Sequence, residues 1–430
     1  MVNSGVRHRV DELIRNGHLM INDGYRAKNS ELGAEGIPFA RAGNINKGFH
    51  FEEADRFPEE NLHKVGKKRS AAGDVVFTSK GTVGRFAFVR NNTPHFVYSP
   101  QLCFWRSLNP KIIDNRWLYF WMHSEEFSHQ FRGVAGQTDM AEYVSLRDQR
   151  AMYITLPSIE IQRNISYILG SLDDKIEANR QMNETLGASA RAIFHSWFVD
   201  FDPVRTKVEG RQPFGIDSET AALFPDAFEE SEMGKMPKGW KIKSLDAVAT
   251  FLNGLAMQKY PADSDDFLPV IKIAEMRKGS TEGADRASTD IPPDYVVNDG
   301  DILFSWSGSL EVVPWCGGRG ALNQHLFKVT SSEYPKWFYY QWIRHHLSDF
   351  QAIAADKATT MGHIKRHHLS DAKVVVPPKN LIEKMTATMQ PLLDLYIANN
   401  LESRTLAVIR DTLLPKLLAG TIVPSVSTAK

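Results

Sequence analysis

The sequence repeats itself over nearly its whole length, and this internal repeat constrains the fold more than any short motif does. The stretch GDVVFTSKGTVG begins at Gly73, and the related stretch GDILFSWSGSLE begins 227 residues later, at Gly300. Other corresponding stretches are IPFARAGNINKG from Ile37 and LPVIKIAEMRKG from Leu268, WLYFWMHSEEF from Trp117 and WFYYQWIRHHL from Trp337, SLRD ending at Asp148 and HLSD ending at Asp371, and the proline-closed strands AMYITLP and AKVVVPP. Their offsets range from 220 to 231, which indicates two diverged copies of one domain with small loop insertions.

Each copy is followed by a long helical pattern. Apolar residues recur at steps of three and four from Ile161 to Trp197, and again from Ile382 to Leu418. Each pattern predicts a helix of about 40 residues, or about 60 Å at 1.5 Å per residue. Helices of this length are typical of coiled coils. Pro391 predicts a kink or a fresh helical segment in the second helix.

Asn179 and Asn400 occupy matching positions close to the apolar seams of these helices. A buried asparagine pair at such a seam fixes the register of two helices at some cost in stability. The alternative is that both side chains point to solvent.

The predicted fold class is α+β, with two similar globular domains, each followed by a long helix, and with the two helices pairing as an antiparallel coiled coil. A Pro-, Gly- and acid-rich linker lies between the halves; we expect it to be irregular, with Phe214, Phe224 and Phe228 buried. The predicted boundaries are 1–156 for the first domain, 157–200 for the first helix, 201–240 for the linker, 241–377 for the second domain, 378–420 for the second helix and 421–430 for a C-terminal tail.

Composition indicates a cytoplasmic protein. The 430 residues include only two cysteines, Cys103 and Cys316, which suits a reducing compartment and predicts buried, unreactive thiols. The sequence has no apolar run of about 18 residues and no signal-peptide pattern at its start, so no membrane association is expected. The 51 basic and 51 acidic residues balance, so any surface for nucleic acid must be local.

No constellation of catalytic residues stands out in the sequence. Phosphate-binding and dinucleotide-binding glycine motifs are absent, as is the Asn-Pro-Pro-aromatic motif of amino-methyltransferases. Five histidines cluster in the second half, but they lack the HExxH pattern and a nearby cysteine pair. They fit a metal site, a solvated or DNA-facing surface, or ordinary packing; these histidines are His345, His346, His363, His367 and His368.

Loops rich in hydrogen-bond donors recur at equivalent places in both halves and suit phosphates and base edges. Taken singly, each loop also fits a solvated turn. The candidates in the first half are Arg41, Asn44, Asn46, Lys47, Lys67, Lys68, Thr78, Ser79, Lys80, Thr82, Arg85, Gln137 and Thr138. Those in the second half are Lys272, Arg277, Lys278, Ser305, Trp306, Ser307, Arg319, Lys357, Thr359, Thr360, His363, Lys365 and Arg366.

An aromatic cluster closes the first long helix and has two interpretations. It either packs the helix end against the linker or forms part of a protein-docking surface, since aromatic residues anchor interfaces. The cluster consists of Phe194, Trp197, Phe198 and Phe201.

The duplicated plan, together with three segments, resembles the DNA-specificity subunit of type I restriction-modification systems. These segments are SWFVDFDPVRTK at 196–207, ALFPDAFEESEMGKMPKGW at 222–240 and TLLPKLLAG at 412–420. The resemblance implies that each globular unit is a target recognition domain reading one half of a bipartite, asymmetric DNA site. It further implies that the paired helices set the spacer between the half-sites.

The same resemblance implies partners and cofactors. The chain would bind double-stranded DNA and dock two methyltransferase (modification) subunits and two restriction/translocase subunits. It would hold no active site, cofactor or metal, whereas S-adenosylmethionine, ATP and Mg would bind to the partner subunits. Two other readings are a coiled-coil adaptor that binds protein rather than DNA and a metal-dependent hydrolase that uses the histidines.

Overall fold

The computed structural model describes residues 5–46, 48–80, 83–135, 144–356 and 362–423. It divides into two compact units: unit 1 contains Met1–Lys175 and Leu406–Lys430, and unit 2 contains Ile176–Thr405. The two boundaries between the units fall inside the two long helices, so each unit contains a segment of each long helix. No helix in the described ranges is long and apolar enough to cross a membrane.

Unit 1 combines small antiparallel and mixed sheets with short helices. Its strands are β1 (Val6–Arg9), β2 (Leu19–Asp23), β3 (Ile37–Ala40), β4 (Arg56–Phe57), β5 (Val75–Thr78), β6 (Phe86–Phe88), β7 (Val97–Tyr98), β8 (Leu102–Ser107) and β9 (Tyr153–Leu156). Its helices are α1 (Val10–Arg15), α2 (Asn115–Trp121), α3 (Glu125–Ala135), α4 (Leu146–Ala151), the first part of α5 (Ile159–Phe198) and the last part of α13 (Lys379–Leu418).

Unit 2 begins within α5. The next helices and strands are α6 (Asp202–Val208), α7 (Ser218–Leu223), β10 (Phe228–Ser231), β11 (Gly234–Pro237), β12 (Lys241–Ser244), α8 (Leu245–Val248), β13 (Thr250–Asn253), β14 (Phe267–Ile271), α9 (Ile273–Lys278) and β15 (Arg286–Ser288). The remaining ones are β16 (Val296–Val297), β17 (Ile302–Ser305), β18 (Val312–Pro314), β19 (Gly320–Leu322), β20 (Leu326–Thr330), α10 (Lys336–His345), α11 (Leu347–Ala355), α12 (Arg366–Asp371), β21 (Lys373–Val376) and the part of α13 (Lys379–Leu418) up to Thr405.

The two units share one sheet topology, which confirms the predicted duplication. One four-stranded sheet has the order β2-β8-β5-β6 in unit 1 and β13-β20-β17-β18 in unit 2. In each unit a second sheet contains one parallel pair, β3 with β7 and β14 with β19. A third pairing joins the start of each domain to its last strand, β1 with β9 and β12 with β21.

One correspondence read from the sequence is shifted. Ser145 caps α4 and Lys365 stands at the same position before α12, so the two short helices match with Ser145 against Lys365. The similarity of SLRD to HLSD therefore does not align equivalent residues. Both helices nevertheless lead directly into the strand that precedes a long helix.

Helices α5 and α13 are each 40 residues long, and they pair antiparallel, as predicted. In unit 1, Arg410 of α13 forms an ion pair with Asp173 of α5 at 2.8 Å. In unit 2, Asn179 of α5 contacts Ser403 of α13, and Asn183, further along α5, contacts Tyr396, which comes earlier in α13. This order of contacts is that of an antiparallel pair. Helix α13 is continuous through Pro391, so a fresh segment does not begin there.

Asparagines do lie in the seam, but the partner of Asn179 differs from the one that the repeat suggests. Asn179 is 2% exposed, and its Nδ2 donates to the Asn399 carbonyl and to Glu402. Asn399 Nδ2 donates to Asn183 Oδ1 at 2.9 Å. Asn400 instead donates to the Tyr396 carbonyl within its own helix. Asn179 and Asn400 are equivalent in the repeat, but the antiparallel pairing places Asn399, the residue next to Asn400, beside Asn179.

We expect Asn399→Ala to lower the free energy of unfolding by about 1–3 kcal/mol, because it leaves the buried Oδ1 of Asn183 without its donor. Replacing both Asn183 and Asn399 by leucine is expected to recover most of that loss, since both polar groups leave the seam together. Chemical denaturation of Asn399→Ala, of the double leucine variant and of the two single leucine variants gives the coupling free energy between positions 183 and 399. A double variant as unstable as the sum of the singles would contradict this interpretation.

The linker is more regular than its composition predicts. It contains α6, α7 and the hairpin of β10 with β11. Of the three linker phenylalanines that we expected to be buried, Phe224 is buried and Phe228 half-buried, but Phe214 is fully exposed. The expectation that Phe214 is buried was therefore wrong.

Candidate nucleic-acid interface

The two Gly-Asp turns have the same conformation. Gly73 has φ +89° and Gly300 has φ +87°, a left-handed conformation that favours glycine. The aspartate that follows each glycine accepts a hydrogen bond through its Oδ2 from the backbone N–H three residues earlier, at 2.9 Å in both turns. The shared residues are thus framework that positions the hairpins β5–β6 and β17–β18.

Thr78 and Ser305 close these hairpins with buried hydroxyls. Oγ1 of Thr78 accepts from the Arg85 N–H at 3.0 Å, and Oγ of Ser305 accepts from the Glu311 N–H at 2.8 Å. Both side chains are fully buried. They are DNA-binding candidates from the sequence, but in this structure their side chains support the turn and do not reach the surface.

Ser79 and Ser307 are also buried candidates. The Ser79 hydroxyl accepts from the Cys103 thiol at 3.2 Å, and the Ser307 hydroxyl lies 3.1 Å from Nδ1 of His325. These polar groups are satisfied inside the domain. Burial therefore corrects the interpretation of these two side chains as surface donors.

In unit 1, two candidate cations lie at one short turn, 42–44. Arg41 begins this turn and pairs with Asp55 at 2.5 Å. Arg85 reaches the same turn from the β5–β6 hairpin, where its Nη1 lies 3.5 Å from the Ala42 carbonyl. Both arginines are exposed, which brings two guanidinium groups to one surface. Other exposed candidates of this unit are Asn46, Lys67 and Lys80.

Asn44 and Lys68 have structural partners. Oδ1 of Asn44 accepts from the Arg41 N–H at 2.8 Å, and its Nδ2 donates to the His50 carbonyl. Lys68 pairs with Asp23 at 2.8 Å. These contacts account for both residues within the domain.

In unit 2 the corresponding surface carries a mixed-charge cluster. Nε of Arg277 lies 3.0 Å from Oε1 of Glu311, and its Nη1 lies 3.4 Å from Oγ of Ser309. Lys272, at the position of Arg41, pairs with Asp285. Glu311 also lines an open cleft of about 380 Å³.

The other unit 2 candidates are partly engaged. Trp306 is half-buried and its indole N–H donates to Asn253 at 2.8 Å, while Arg366 places its guanidinium 5.7 Å from the centroid of the Phe327 ring. His363 forms a backbone bridge with Ser307 beside this tryptophan. Lys278 is exposed, and its Nζ pairs with Oε2 of Glu282 at 3.4 Å. Arg319 and Lys365 are also exposed. Candidates outside the described residues are Lys47, Thr82, Gln137, Thr138, Lys357, Thr359 and Thr360.

The histidines divide between core and surface. His345 and His346 lie beside Trp342, with ring centroids 5.4 and 5.9 Å away, and burial lowers the pKa of His345 to about 4, assisted by the neighbouring histidines. His345 is therefore neutral at pH 7. His367 is exposed, and Nδ1 of His368 accepts from the Lys365 N–H. Within the described ranges, no group of three or more His, Cys, Asp or Glu is arranged to hold a metal ion.

Neither cysteine is activated. Cys103 is buried and Cys316 half-buried, and desolvation raises the pKa of both thiols, that of Cys316 to about 11. The protonated form therefore dominates at neutral pH, and thiolate chemistry is not favoured.

The aromatic cluster at the end of α5 belongs to the core of unit 2. Its members Phe194, Trp197, Phe198 and Phe201 are between 1% and 9% exposed and pack with Phe224, Trp240 and Trp342. This burial favours the packing interpretation, because the rings present almost no surface to a partner.

Glu311 is the residue that the sequence reasoning missed. A search for hydrogen-bond donors passes over a carboxylate, although this one occupies the same hairpin position as Arg85. Aligning the repeats on their Gly-Asp turns, with one residue deleted from the second hairpin, would have paired the two residues.

Two copies of one domain, each with charged side chains around the same hairpin, define a binding protein with two related surfaces. The chain matches the family described as type I restriction modification DNA specificity domain over residues 17–188 and 237–407. Since the two matches cover most of its length, the chain belongs to this family.

Known relatives match the chain along most of its length. The specificity subunit of the type I restriction enzyme HindI of Haemophilus influenzae is 24% identical over 440 residues, covering 90% of this chain and 94% of that protein. The MjaIX specificity subunit of Methanocaldococcus jannaschii is 25% identical over 363 residues, covering 81% of this chain and 77% of that protein. The crystal structure of a type I restriction-modification S subunit from M. genitalium matches with a TM-score of 0.56 and 13% identity, covering 99% of this chain and 97% of that one, which shows a shared fold.

Proposed function

We propose that this chain is the sequence-reading subunit of a type I restriction-modification complex. Each domain reads one half of a bipartite, asymmetric site in double-stranded DNA. The observation that carries this proposal is the repeated hairpin: the Gly-Asp turn and its hydrogen bonds are the same in both units, while the side chains at the surface differ. A shared framework with different surface chemistry suits two different half-sites.

The chain contributes recognition and assembly without an active site of its own. The paired helices set the number of unspecified base pairs between the half-sites, which lie about one turn of DNA apart, or roughly 34 Å. Two methyltransferase subunits and two restriction/translocase subunits dock on the helices and linker. S-adenosylmethionine, ATP and Mg bind to those partners, and the complex works in the cytoplasm.

Domain exchange tests the proposal. Replacing residues 1–156 by the equivalent domain of a relative with a different target is expected to change one half-site completely and to leave the other half-site and the spacer intact. The reciprocal exchange of residues 241–377 is the matched control and is expected to change only the other half-site. Methylome sequencing of the host provides the measurement.

Two results would contradict the proposal. One is a change of both half-sites after a single exchange, since the domains would then not read independently. The other is methylation that persists at the original motif after this chain is deleted. A protein-only adaptor would also show no steep salt dependence of DNA binding.

A further inference from the structure

Arg85 and Glu311 occupy one and the same position in the two hairpins. The Thr78 N–H donates to the Arg85 carbonyl at 3.0 Å, and the Ser305 N–H donates to the Glu311 carbonyl at 2.9 Å. The hydroxyls of the same two residues accept from the Arg85 and Glu311 N–H groups. Identical backbone pairing thus presents side chains of opposite charge.

The neighbouring framework position behaves differently. Arg41 directly follows β3 and pairs with Asp55, and Lys272 directly follows β14 and pairs with Asp285. Here the charge and the acidic partner are the same in both units. Phosphates are identical in every half-site, so a position that contacts them is free to carry the same charge twice.

Opposite charges at one position require another explanation. A carboxylate beside a polyanion is unfavourable unless it accepts hydrogen bonds from base amino groups. In the major groove, Glu accepts from cytosine N4, whereas Arg donates to O6 and N7 of guanine. The Glu311 side chain is 35% exposed and is paired with Arg277, which orients its carboxylate at the cleft.

We propose that Arg85 and Glu311 are the equivalent base-reading side chains of the two domains, Arg85 for a guanine in the first half-site and Glu311 for a cytosine in the second. Arg277 is a positioning residue that holds the Glu311 carboxylate. Arg41 and Lys272 contact phosphates and carry no sequence information. This inference rests on the proposed function and assigns specific bases to specific residues within it.

Selection from a pool of randomised duplex DNA tests the assignment, using the full-length chain in complex with its methyltransferase subunits. Glu311→Gln is expected to shift one position of the second half-site from cytosine toward adenine, because Gln pairs with adenine N6 and N7. The loss of discrimination at that position is expected to be roughly 5- to 150-fold. Arg85→Gln is expected to shift one position of the first half-site from guanine toward adenine, for the same reason. Glu311→Arg is expected to select guanine where the parent selects cytosine.

Arg41→Gln and Lys272→Gln are the matched controls. Each is expected to weaken binding to all duplexes alike and to reduce the slope of log K against log salt by about one, without changing the selected motif. Circular dichroism of every variant checks that the fold is intact.

The assignment is overturned if Glu311→Gln strengthens binding to all duplexes equally while the motif stays unchanged, because Glu311 would then act only on the backbone. A change in the first half-site from a Glu311 variant also overturns it. If the parent complex selects no bipartite motif at all, the proposed function itself fails, which separates the two failures.

Discussion

Asp74→Asn is expected to lower the free energy of unfolding of unit 1 by about 3 kcal/mol, because it breaks a buried ion pair from one side. The Asp74 side chain is fully buried, and its oxygens lie 2.5 and 2.7 Å from Nε and Nη2 of Arg106. The Tyr98 hydroxyl also donates to Asp74 at 2.6 Å, and burial followed by the carboxylate charge raises the pKa of that phenol. Arg106 is 18% exposed, which places the loss at the lower end of the range for buried pairs.

Asp301→Asn is the matched control in unit 2. Asp301 accepts the same turn hydrogen bond from the Asn298 N–H, but among the described residues it has no ion-pair partner. Its replacement is expected to lower the free energy of unfolding by about 1 kcal/mol, the contribution of one hydrogen bond. Hydrogen exchange with mass spectrometry on β5 and on β17 separates the two units. If both variants lower the free energy of unfolding equally, the ion pair between Asp74 and Arg106 adds no stability beyond the turn hydrogen bond.

Phe198→Ala is expected to destabilise unit 2 by about 3–5 kcal/mol, because it empties the centre of an aromatic core. Phe198 is 1% exposed, and its ring lies 5.6 Å from that of Phe338 and 5.9 Å from those of Trp240 and Trp342. Phe214→Ala, in the linker that follows α5, is the control. Phe214 is fully exposed, so its replacement is expected to change stability by no more than about 0.5 kcal/mol.

Thermal denaturation of the isolated chain measures both phenylalanine variants. The packing interpretation of the aromatic cluster requires that Phe198→Ala lowers stability in the absence of any partner. If that variant instead melts like the parent and loses only methyltransferase binding, the docking interpretation is correct.

The architecture was predictable because the sequence contains it twice. A glycine at φ near +90°, an aspartate that closes the turn and an apolar strand leave the same letters in both halves, GDVVF and GDILF. The long helices were predictable from their apolar spacing. These features depend on local conformation and periodicity, which a single sequence records.

The surface was less predictable because polar residues at strand ends have two uses. Thr78, Ser79, Ser305 and Ser307 look like surface donors, yet their hydroxyls satisfy hydrogen bonds inside the domain. Nothing in the residue type distinguishes a hydroxyl that closes a hairpin from one that faces a ligand. The partner of Asn179 between the two helices was not predictable either, because the register of two helices depends on how they pack against each other.

Unit 1 contains the last described part of the chain, and this has a consequence for synthesis on the ribosome. Leu417 is 1% exposed and packs in the core with Ile165 and Leu169, although residues 176–405 are made between them. At about 5–20 residues per second, that interval lasts roughly 10–50 s. Until Leu417 has been synthesised, the apolar surface of unit 1 that it covers stays exposed. A chain that stops anywhere before Leu417 therefore lacks part of the core of its N-terminal unit, even though every residue from 1 to 175 is present.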